Sequence, residues 1–436
     1  MSEASNALPA WLTDSLQTLP DDQAQSWLVD FRIQQRQIVL QRGLPTRRDE
    51  RWRQTDISAL TQQAFNFAQP QDQLPCQWTQ QARLVDSDSI FLLFINGCFI
   101  PQRSDIRLLP MGAIACSIKD AIQHHAELVQ AHWHHDLSVQ HHPFAGLNAS
   151  LFSDGLFLYL PPQCQLSVPV HIVYLTNHQQ NVMMHPRNLI ILDDNTKLTI
   201  IEEYTHAQSA RNWTNSFTTI FVGKQALLDH HKLYKEDTAC HTATTWVEQR
   251  QDSRCHFYHV ASQAQFARDD LLVSLKEKNA ECNTRGFYGL TRDNQSITHY
   301  VEIDHQAPQC KSDMLYKGVL CNQSRAAFIG KVLVQQAAQK TQAHQANHHL
   351  LLTPDAEASA RPELEIYADD VRCKHGATVG QLDADALFYL CSRGVRRQEA
   401  IGLLLSGFAE EVFAGVSHSA IAQQVKTLCC LINPQI

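Results

Sequence analysis

Two short β-like runs separated by a polar break make up the stretch PELEIYADDVRCKHGATVG, residues 362–380. The first run is Leu364–Tyr367, and the second continues from Val371. Because side chains alternate between the two faces of a strand, Val371, Cys373 and His375 would share one face. No amphipathic helix pattern interrupts the stretch, so it predicts short strands joined by tight breaks.

The same alternation of short apolar runs and polar or glycine breaks extends upstream to about Ala145. Near its end, Phe328, Val332 and Val334 would lie on one face of a strand, and Lys331 on the other. The sequence therefore predicts a continuous all-β stack between residues 145 and 379. The clearest runs are Ile172–Leu175, Leu189–Leu192, Leu198–Tyr204, Phe217–Val222, Ala226–Tyr234, Cys255–Val260, Leu271–Leu275, Ile297–Ile303, Ala327–Val334 and Leu364–Tyr367.

The arrangement of this stack is left open by strand spacing alone, which fits a sandwich, a barrel or a β-helix. Two-residue Asn-Gly and Asp-Gly turns are nearly absent, which argues against a sheet built from hairpins. No strict short repeat is visible, so a solenoid does not follow from periodicity. The residues thus predict an all-β core but not its winding.

Helical patterns flank the stack. Near the N-terminus, Asp21 can cap a helix that carries Leu28, Phe31 and Ile38 on one face. Gly43 suits the position just after the end of that helix, where a left-handed backbone conformation is common. The first hundred residues therefore predict a helical and mixed region.

A helical hairpin is predicted at the other end of the chain. Asp383 can cap a first helix, and Gly394 ends it. We therefore predict a helical and mixed domain at residues 1–110, a β core at 111–380 and a helical domain at 381–436. The second helix carries an apolar stripe at three- and four-residue spacing, formed by Ile401, Leu404, Leu405, Phe408 and Val412.

Composition narrows the choice of partner and compartment. The net charge of −8 argues against nucleic acid or an anionic membrane as the main partner. The N-terminus lacks the basic and apolar segments of a secretion signal. The longest apolar stretch, Ile90–Ile100, is too short to cross a bilayer. These features predict a cytoplasmic protein.

The 13 cysteines and 23 histidines do not form a recognisable metal cradle. No Cys-x-x-Cys pair occurs, which excludes a zinc ribbon and a ferredoxin-type cluster site by spacing. Seven histidines lie in residues 124–142, where His132 and His135 could share a helix face. Metal binding there competes with a solvated insert, and we favour the insert because no carboxylate and cysteine set completes a site.

Motifs of self-contained catalysis are missing. Gly223-Lys224 and Gly330-Lys331 lack the upstream glycine of a P-loop, so the chain should not hydrolyse ATP. Dinucleotide-binding, zinc-protease and nucleophile-elbow motifs are also absent. The sequence therefore predicts a protein that is not an enzyme by itself.

One pair of residues retains chemical interest. Cys373 and His375 would stand on the same strand face, about 6.5–7 Å apart along the strand. A thiolate and an imidazole could lean toward one metal ion, and Arg372 and Lys374 could lower the pKa of the thiol. A tetrahedral site needs further ligands from elsewhere in the fold or from another chain. The alternative is a buried cysteine beside a histidine bonded to the backbone.

Short motifs between residues 304 and 412 match one protein family. They include Asp304-His305, Tyr316-Lys317-Gly318, Phe328-Ile329-Gly330-Lys331, Pro362-Glu363-Leu364-Glu365-Ile366, Asp369-Asp370-Val371, His375-Gly376-Ala377-Thr378-Val379-Gly380 and Ser392-Arg393-Gly394. Together they resemble the C-terminal half of the SufB/SufD proteins of the SUF iron–sulfur cluster assembly machinery. Fainter matches, such as Glu50-Arg51-Trp52, extend the resemblance over nearly the whole chain but not over residues 124–142.

Two positions separate the branches of this family. Asn347 stands where a SufB-type scaffold has a cysteine, and Gly376 stands where it has a glutamate. Both residues thought to build the cluster in that branch are missing. The chain therefore resembles the SufD branch, which accompanies the main scaffold.

The resemblance implies a mainly β fold, a right-handed parallel β-helix with helical domains at both ends. It implies that the β-helix edge pairs with a SufB-like scaffold and that the C-terminal hairpin docks a SufC-like ABC ATPase. Cys373 and His375 would then handle iron or a transient iron–sulfur cluster at the interface, with the other ligands supplied by the partner. Alone, the chain would hold no cluster firmly and could form a homodimer. The docking residues would be Phe388, Tyr389, Arg393, Gly394, Ile401, Leu404, Leu405 and Phe408.

Three other hypotheses compete with this one. A SufB-like scaffold would hold a cluster by itself, although Asn347 and Gly376 count against it. A β-helical enzyme acting on polysaccharide is common in this architecture, although fold alone does not assign function. A histidine-rich metal store would depend on residues 124–142.

Overall fold

The computed structural model describes residues 8–17, 25–69, 88–133, 142–178, 181–207, 211–261, 264–414, 416, 426–429 and 432. The helices are α1 (Ala10–Gln17), α2 (Ser26–Arg42), α3 (Ser58–Thr61), α4 (Ile118–His124), α5 (Ala126–Ala131), α6 (Pro143–Leu151), α7 (Ala384–Ser392) and α8 (Arg397–Phe413). Short 3-10 turns cover Glu50–Trp52 and Pro101–Arg103.

The strands account for most of the chain between residues 90 and 380. They are β1 (Asn66–Phe67), β2 (Ile90–Ile95), β3 (Cys98–Phe99), β4 (Ile114–Ser117), β5 (Leu156–Leu160), β6 (Val170–Thr176), β7 (Val182–Met184), β8 (Arg187–Leu192), β9 (Lys197–His206), β10 (Trp213–Val222), β11 (Leu227–Lys235), β12 (Cys240–Gln249), β13 (Arg254–Ala261), β14 (Phe266–Leu275), β15 (Glu281–Leu290), β16 (Ser296–His305), β17 (Lys311–Leu320), β18 (Arg325–Val334), β19 (Gln342–Leu351), β20 (Glu357–Ile366) and β21 (Arg372–Gly380).

Successive strands alternate between two parallel sheets. The even-numbered strands from β8 to β20 form the first sheet, and the odd-numbered strands from β9 to β21 form the second. Each strand therefore pairs with the strand two places away in sequence, and the chain winds as a solenoid of about 7 turns. The predicted parallel β-helix core is confirmed, and so is the mainly β fold with helices at both ends.

A left-handed corner residue recurs where the chain passes from the first sheet to the second. Asn and Asp adopt this conformation at a smaller cost than most residues, and three of the corner residues are of these two types. This recurrence, about thirty residues apart, is the repeat that apolar periodicity does not reveal. The corner residues are Gln163, Asn195, Gln225, Asp252, Asn279, Gln309 and Lys340, with φ between 57° and 64°.

Four apolar clusters are found among the described residues, and the three largest join the main parts of the molecule. One fills the solenoid and includes Ile190, Leu271 and Val332. A second lies between the outer face of the first sheet and the N-terminal helices, where the Phe144 ring meets Trp213 edge-on with centroids 5.9 Å apart. The third joins the second sheet to the C-terminal residues. Burial on this scale supplies most of the folding free energy, since each large apolar side chain contributes roughly 1.5–3 kcal/mol.

The helix ends follow the predicted signals where the structure describes them. Gly43 follows α2 with φ 71°. The Asp383 carboxylate caps α7 by accepting the backbone N–H groups of Asp385 and Ala386 at 2.9 and 3.1 Å. Helix α2 begins at Ser26, and the proposed cap Asp21 lies outside the described residues.

From β8 onward, the strands that the apolar pattern misses are β12, β15, β17 and β19. Each turns polar side chains toward the interior of the solenoid, among them Thr284, Gln345 and His349, which are 0–1% exposed. A run with polar residues on its buried face does not look amphipathic, so the pattern fails there. The divisions at residues 110 and 380 stay predictions. Within the described residues, no helix is long and apolar enough to cross a membrane.

Candidate functional site: the open end of the solenoid

The last turn of the solenoid, made of β20 and β21, is uncovered within the described part of the chain. These strands are the terminal members of the two sheets, and none of their residues is fully buried. In β8, two sheet positions from the other end, every residue is buried. Within the described residues, the last turn therefore packs against a neighbouring turn on one side only.

Unpaired backbone groups line this end. The Arg372 N–H donates to the Thr341 carbonyl at 2.9 Å, and the Glu357 N–H donates to Ser324 at 3.0 Å. In a parallel ladder every second residue bonds to the same neighbour. The alternate residues of β20 and β21 direct their N–H and C=O groups to the open edge. Beyond this edge the described residues place no strand. The alternate residues are Cys373, His375, Ala377 and Val379 on β21, and Ala358, Ala360, Leu364 and Ile366 on β20.

Pro362 occupies one of these outward positions on β20. Proline has no N–H, and within sheets it is tolerated where the missing donor faces an open edge. A proline at an outward position is one of the ways in which natural proteins prevent an edge strand from pairing with the wrong chain.

Cys373 points into the solenoid and packs against the interior apolar cluster. It stands in register with the buried Ala343. Burial raises the pKa of the Cys373 thiol, and a backbone hydrogen bond at Ala343 offsets only part of this. The expectation that Arg372 and Lys374 lower this pKa is therefore wrong, because alternation sends both side chains to the opposite face of β21.

His375 is exposed, two residues along the same face, and stands in register with Gln345. The Gln345 side chain crosses the interior and donates to the Gly330 carbonyl in the opposite sheet at 2.9 Å. A Cβ atom on Gly330 would lie 2.3 Å from Gln345 Nε2, so only glycine leaves room for this crossing. Gln345 thus closes the interior immediately beneath His375. Sequence analysis missed Gln345, because its role depends on the facing sheet.

Exposed apolar side chains form a rim at the same end of the solenoid as Cys373 and His375. Tyr367 is 62% exposed, Val379 47% and Ile366 40%. Exposed apolar side chains beside unpaired backbone groups are typical of a surface that another chain covers.

The two positions that separate SufB-like from SufD-like chains lie close to this end. Asn347 is buried, and its side-chain amide donates to the Tyr316 carbonyl at 3.1 Å. Gly376 is exposed, and a Cβ atom there would meet nothing within 4 Å. Packing therefore does not demand glycine at position 376.

The C-terminal hairpin divides into a buried and an exposed face. Ile401 and Leu405 are 2% and 0% exposed, because they pack on the outer face of the second sheet. Phe388 is 74% exposed and Tyr389 57%, and Arg393 and Gly394 are also exposed. Leu404 and Phe408 are partly buried, and the Lys317 ammonium lies 4.6 Å from the centre of the Phe408 ring. Only the exposed face can contact a partner directly, and it also includes Leu403, at 57%, which sequence analysis missed.

The histidine-rich segment is described only at residues 124–133 and 142. His132 Nδ1 lies 3.0 Å from the Leu128 carbonyl, and His135 lies outside the described residues. His142 is buried, with Nδ1 3.1 Å from the Asp270 carboxylate. The His132 contact stays within α5 and its end, whereas His142 joins the start of α6 to β14 of the first sheet.

A β-solenoid with one open end, a Cys–His pair at that end and a helical hairpin beside it defines the class of protein. Residues 174–408 match the model of the SUF system FeS cluster assembly SufBD core domain, and residues 12–172 match the SufBD protein N-terminal region. A SufBD family iron–sulfur cluster assembly protein of Synechocystis is 31% identical over 88% of this chain and 86% of its own. The SufD iron–sulfur cluster assembly protein of Escherichia coli is 28% identical over 98% and 96%, and that of Bacillus subtilis is 27% identical over 72% of both chains.

The chain therefore belongs to the SufBD family of iron–sulfur cluster assembly proteins. The predicted resemblance to SufD is confirmed by the two relatives of that name, which match most of the chain.

Proposed function

We propose that this protein is a SufD-like subunit of a SufB–SufC–SufD complex, and that its open end pairs with a SufB-like chain. The observation that carries the proposal is the last turn, which no other described residue covers and whose outward backbone groups on β20 and β21 have no strand partner in that part of the chain. A matching strand edge would complete both ladders and bury the rim of Ile366, Tyr367 and Val379. A second copy of this chain could do the same when partners are scarce.

Cys373 and His375 would meet iron or a nascent cluster at this interface. Among the described residues neither side chain has a complete set of metal ligands, and both lie on β21, the strand whose edge a partner would cover. Because its pKa is raised, the Cys373 thiol would have to lose its proton to the incoming metal ion or to a group of the partner chain before it binds metal. The exposed imidazole is the more accessible ligand. The cluster is thus cargo that the complex builds, and this chain performs no catalysis alone.

Co-expression with SufB-like and SufC-like partners under anaerobic conditions tests this assignment. Iron and acid-labile sulfide per complex should fall at least tenfold in His375→Ala, while the size of the complex stays unchanged. His344→Ala is the matched control, because His344 is an exposed histidine on the adjacent strand β19 whose Nδ1 contacts Asp313 on the outer face. Unchanged iron and sulfide in His375→Ala would show that Cys373 and His375 have no role in cluster assembly.

The exposed face of the C-terminal hairpin would dock the SufC-like ATPase. Phe388, Tyr389 and Leu403 leave large apolar surfaces exposed there, and the α8 face beneath them is anchored by Ile401 and Leu405. Aromatic anchors of this size dominate the affinity of many interfaces.

Substituting one anchor separates docking from folding. Phe388→Ala should lower the amount of ATPase that co-purifies at least tenfold without changing thermal unfolding. Leu108→Ala removes a side chain that is 48% exposed on the N-terminal region and serves as the control. Equal co-purification in both variants would rule out the hairpin as the docking site.

A further inference from the structure

The interior of the solenoid changes character in its middle turns. Instead of apolar residues alone, it holds ionisable side chains that are at most 2% exposed, including Glu202, His230, Lys232, Asp269 and His299. Burying such groups costs free energy unless they are paired or bind a ligand. This region lies deeper than the open end and takes no part in the proposed function.

Three of these side chains converge from both sheets. His259 lies on β13 of the second sheet, and Asp269 and His299 lie on the neighbouring strands β14 and β16 of the first. One ligand atom from each lies within 4.8 Å of the other two. His259 Nδ1 is 2.8 Å from Asp269 Oδ2. Three potential ligand atoms therefore gather around one point in the interior of the solenoid.

His299 supplies independent support for a ligand. It is 1% exposed, and neither of its ring nitrogens has a hydrogen-bond partner among the described residues. Leaving a buried polar group without a hydrogen-bond partner is destabilising, so a ligand that pairs with it is favoured. The rings of Tyr288 and Tyr316 lie beside His299, with centroids 5.1 and 5.3 Å away, so they wall the site without bonding to its nitrogens.

The protonation states suit metal binding. Burial lowers the pKa of His299 to about 3, so its imidazole is neutral and can donate an electron pair. Burial alone would raise the pKa of Asp269, but the Lys232 and His259 side chains hold it well below its usual range. The site therefore offers a carboxylate and a neutral imidazole near neutral pH.

The local charge balance leaves room for a cation. Lys232 Nζ lies 3.5 Å from Asp269 Oδ1 and donates to Thr245 Oγ1 at 3.0 Å. Glu202 is the second carboxylate facing Lys232, and its Oε2 lies 2.7 Å from His230 Nε2. Counted alone, these two carboxylates and one ammonium leave one negative charge.

We propose that His259, Asp269 and His299 bind one divalent transition-metal ion inside the solenoid. Two imidazoles and one carboxylate form a ligand set that suits zinc(II), iron(II) and cobalt(II), whereas calcium and magnesium prefer oxygen ligands alone. Three protein ligands leave a position for water. The site is distinct from Cys373 and His375 at the open end.

The purified full-length chain, stripped with a chelator and dialysed, tests the proposal by titration with Co²⁺ and Zn²⁺. One equivalent of Co²⁺ should bind and give the visible absorption of a four- or five-coordinate ion, and Zn²⁺ should displace it. In His299→Gln the affinity should fall by at least about 100-fold, since losing even an outer-shell partner costs 10- to 100-fold. The wild-type melting temperature should rise with Zn²⁺, and that of His299→Gln should not.

His305→Gln is the matched control, because His305 is a buried histidine on the same strand whose Nε2 is 2.9 Å from Ser312 Oγ. It should bind as the wild type does, and His259→Gln replaces His299→Gln if the latter does not fold. Absence of tight binding in the wild type would mean that a protonated histidine or water occupies the space, and it would overturn the proposal. So would binding that survives in His299→Gln but disappears in His375→Ala. That second result would leave the proposed function intact.

Discussion

The two ends of the solenoid are built from the same kind of turn but are finished differently. At the first turns, β2 folds back onto β3 and β5 pairs with β4, both antiparallel, so the sheets end in antiparallel pairs instead of open parallel strands. At the last turn, β20 and β21 stop without such a partner among the described residues. A parallel sheet cannot close its own edge without a reversal of the chain, so the unreversed end is the one available to another protein.

The largest difference between the ends should appear in stability. Phe94 on β2 is 0% exposed and stacks on Tyr174 with centroids 4.8 Å apart. Phe94→Ala should lower the free energy of unfolding by roughly 3–5 kcal/mol, measured by urea denaturation. Phe388→Ala, near the open end, should change it by less than about 0.5 kcal/mol. Similar losses in the two variants would contradict the difference between the ends.

A second test concerns buried and exposed ion pairs. Arg268 is 1% exposed, bonds to Asp270 at 2.8 Å and lies 3.6 Å over the Trp52 ring, which joins the N-terminal region to β14. Arg268→Met should cost about 3 kcal/mol, because it leaves a buried carboxylate with less compensation. Arg325→Met removes an exposed pair with Glu357 on the last strands and should cost at most about 1 kcal/mol. Equal costs from urea unfolding would refute this contrast.

A third test uses pH. Burial, assisted by His348, lowers the pKa of His349 to about 4. The unfolded chain then binds more protons than the folded chain, so stability falls as pH decreases from about 6.5 toward 4, by about 2 kcal/mol at pH 5. His349→Gln should lose less stability between pH 7 and pH 5 than the wild type. His344→Gln, at an exposed position, should follow the wild type, and identical pH profiles for all three would show that His349 does not contribute.

The smallest effect on stability is expected at the open edge. Ala377 is exposed on β21, and Ala377→Lys should change the free energy of unfolding by less than about 0.5 kcal/mol. It should nevertheless weaken self-association or pairing with a SufB-like chain at least tenfold, because a lysine on an edge strand opposes strand addition. Analytical ultracentrifugation measures both forms of pairing. Ala343→Lys, at a position 3% exposed on β19, should instead unfold the protein.

Local signals predicted much of the secondary structure. The cap at Asp383 and the glycine after α2 are dictated by backbone groups within a few residues, so they can be read from short motifs. The run around Phe328 and Val332 shows an apolar face in the sequence and is predicted as a strand. The structure buries that face in the core. The pattern failed on β15 and β19, where Thr284 and His349 face a polar interior.

The sequence by itself determined the all-β core, the flanking helices and the family, because periodicity, caps and motifs are properties of neighbouring residues. Only the tertiary structure decided which strands pair, since register is set by side chains about thirty residues apart. It also placed Cys373 on a buried face with a raised pKa, and it brought His259, Asp269 and His299 together from two sheets. Burial and cross-sheet distance are products of winding, and no local stretch of sequence contains them.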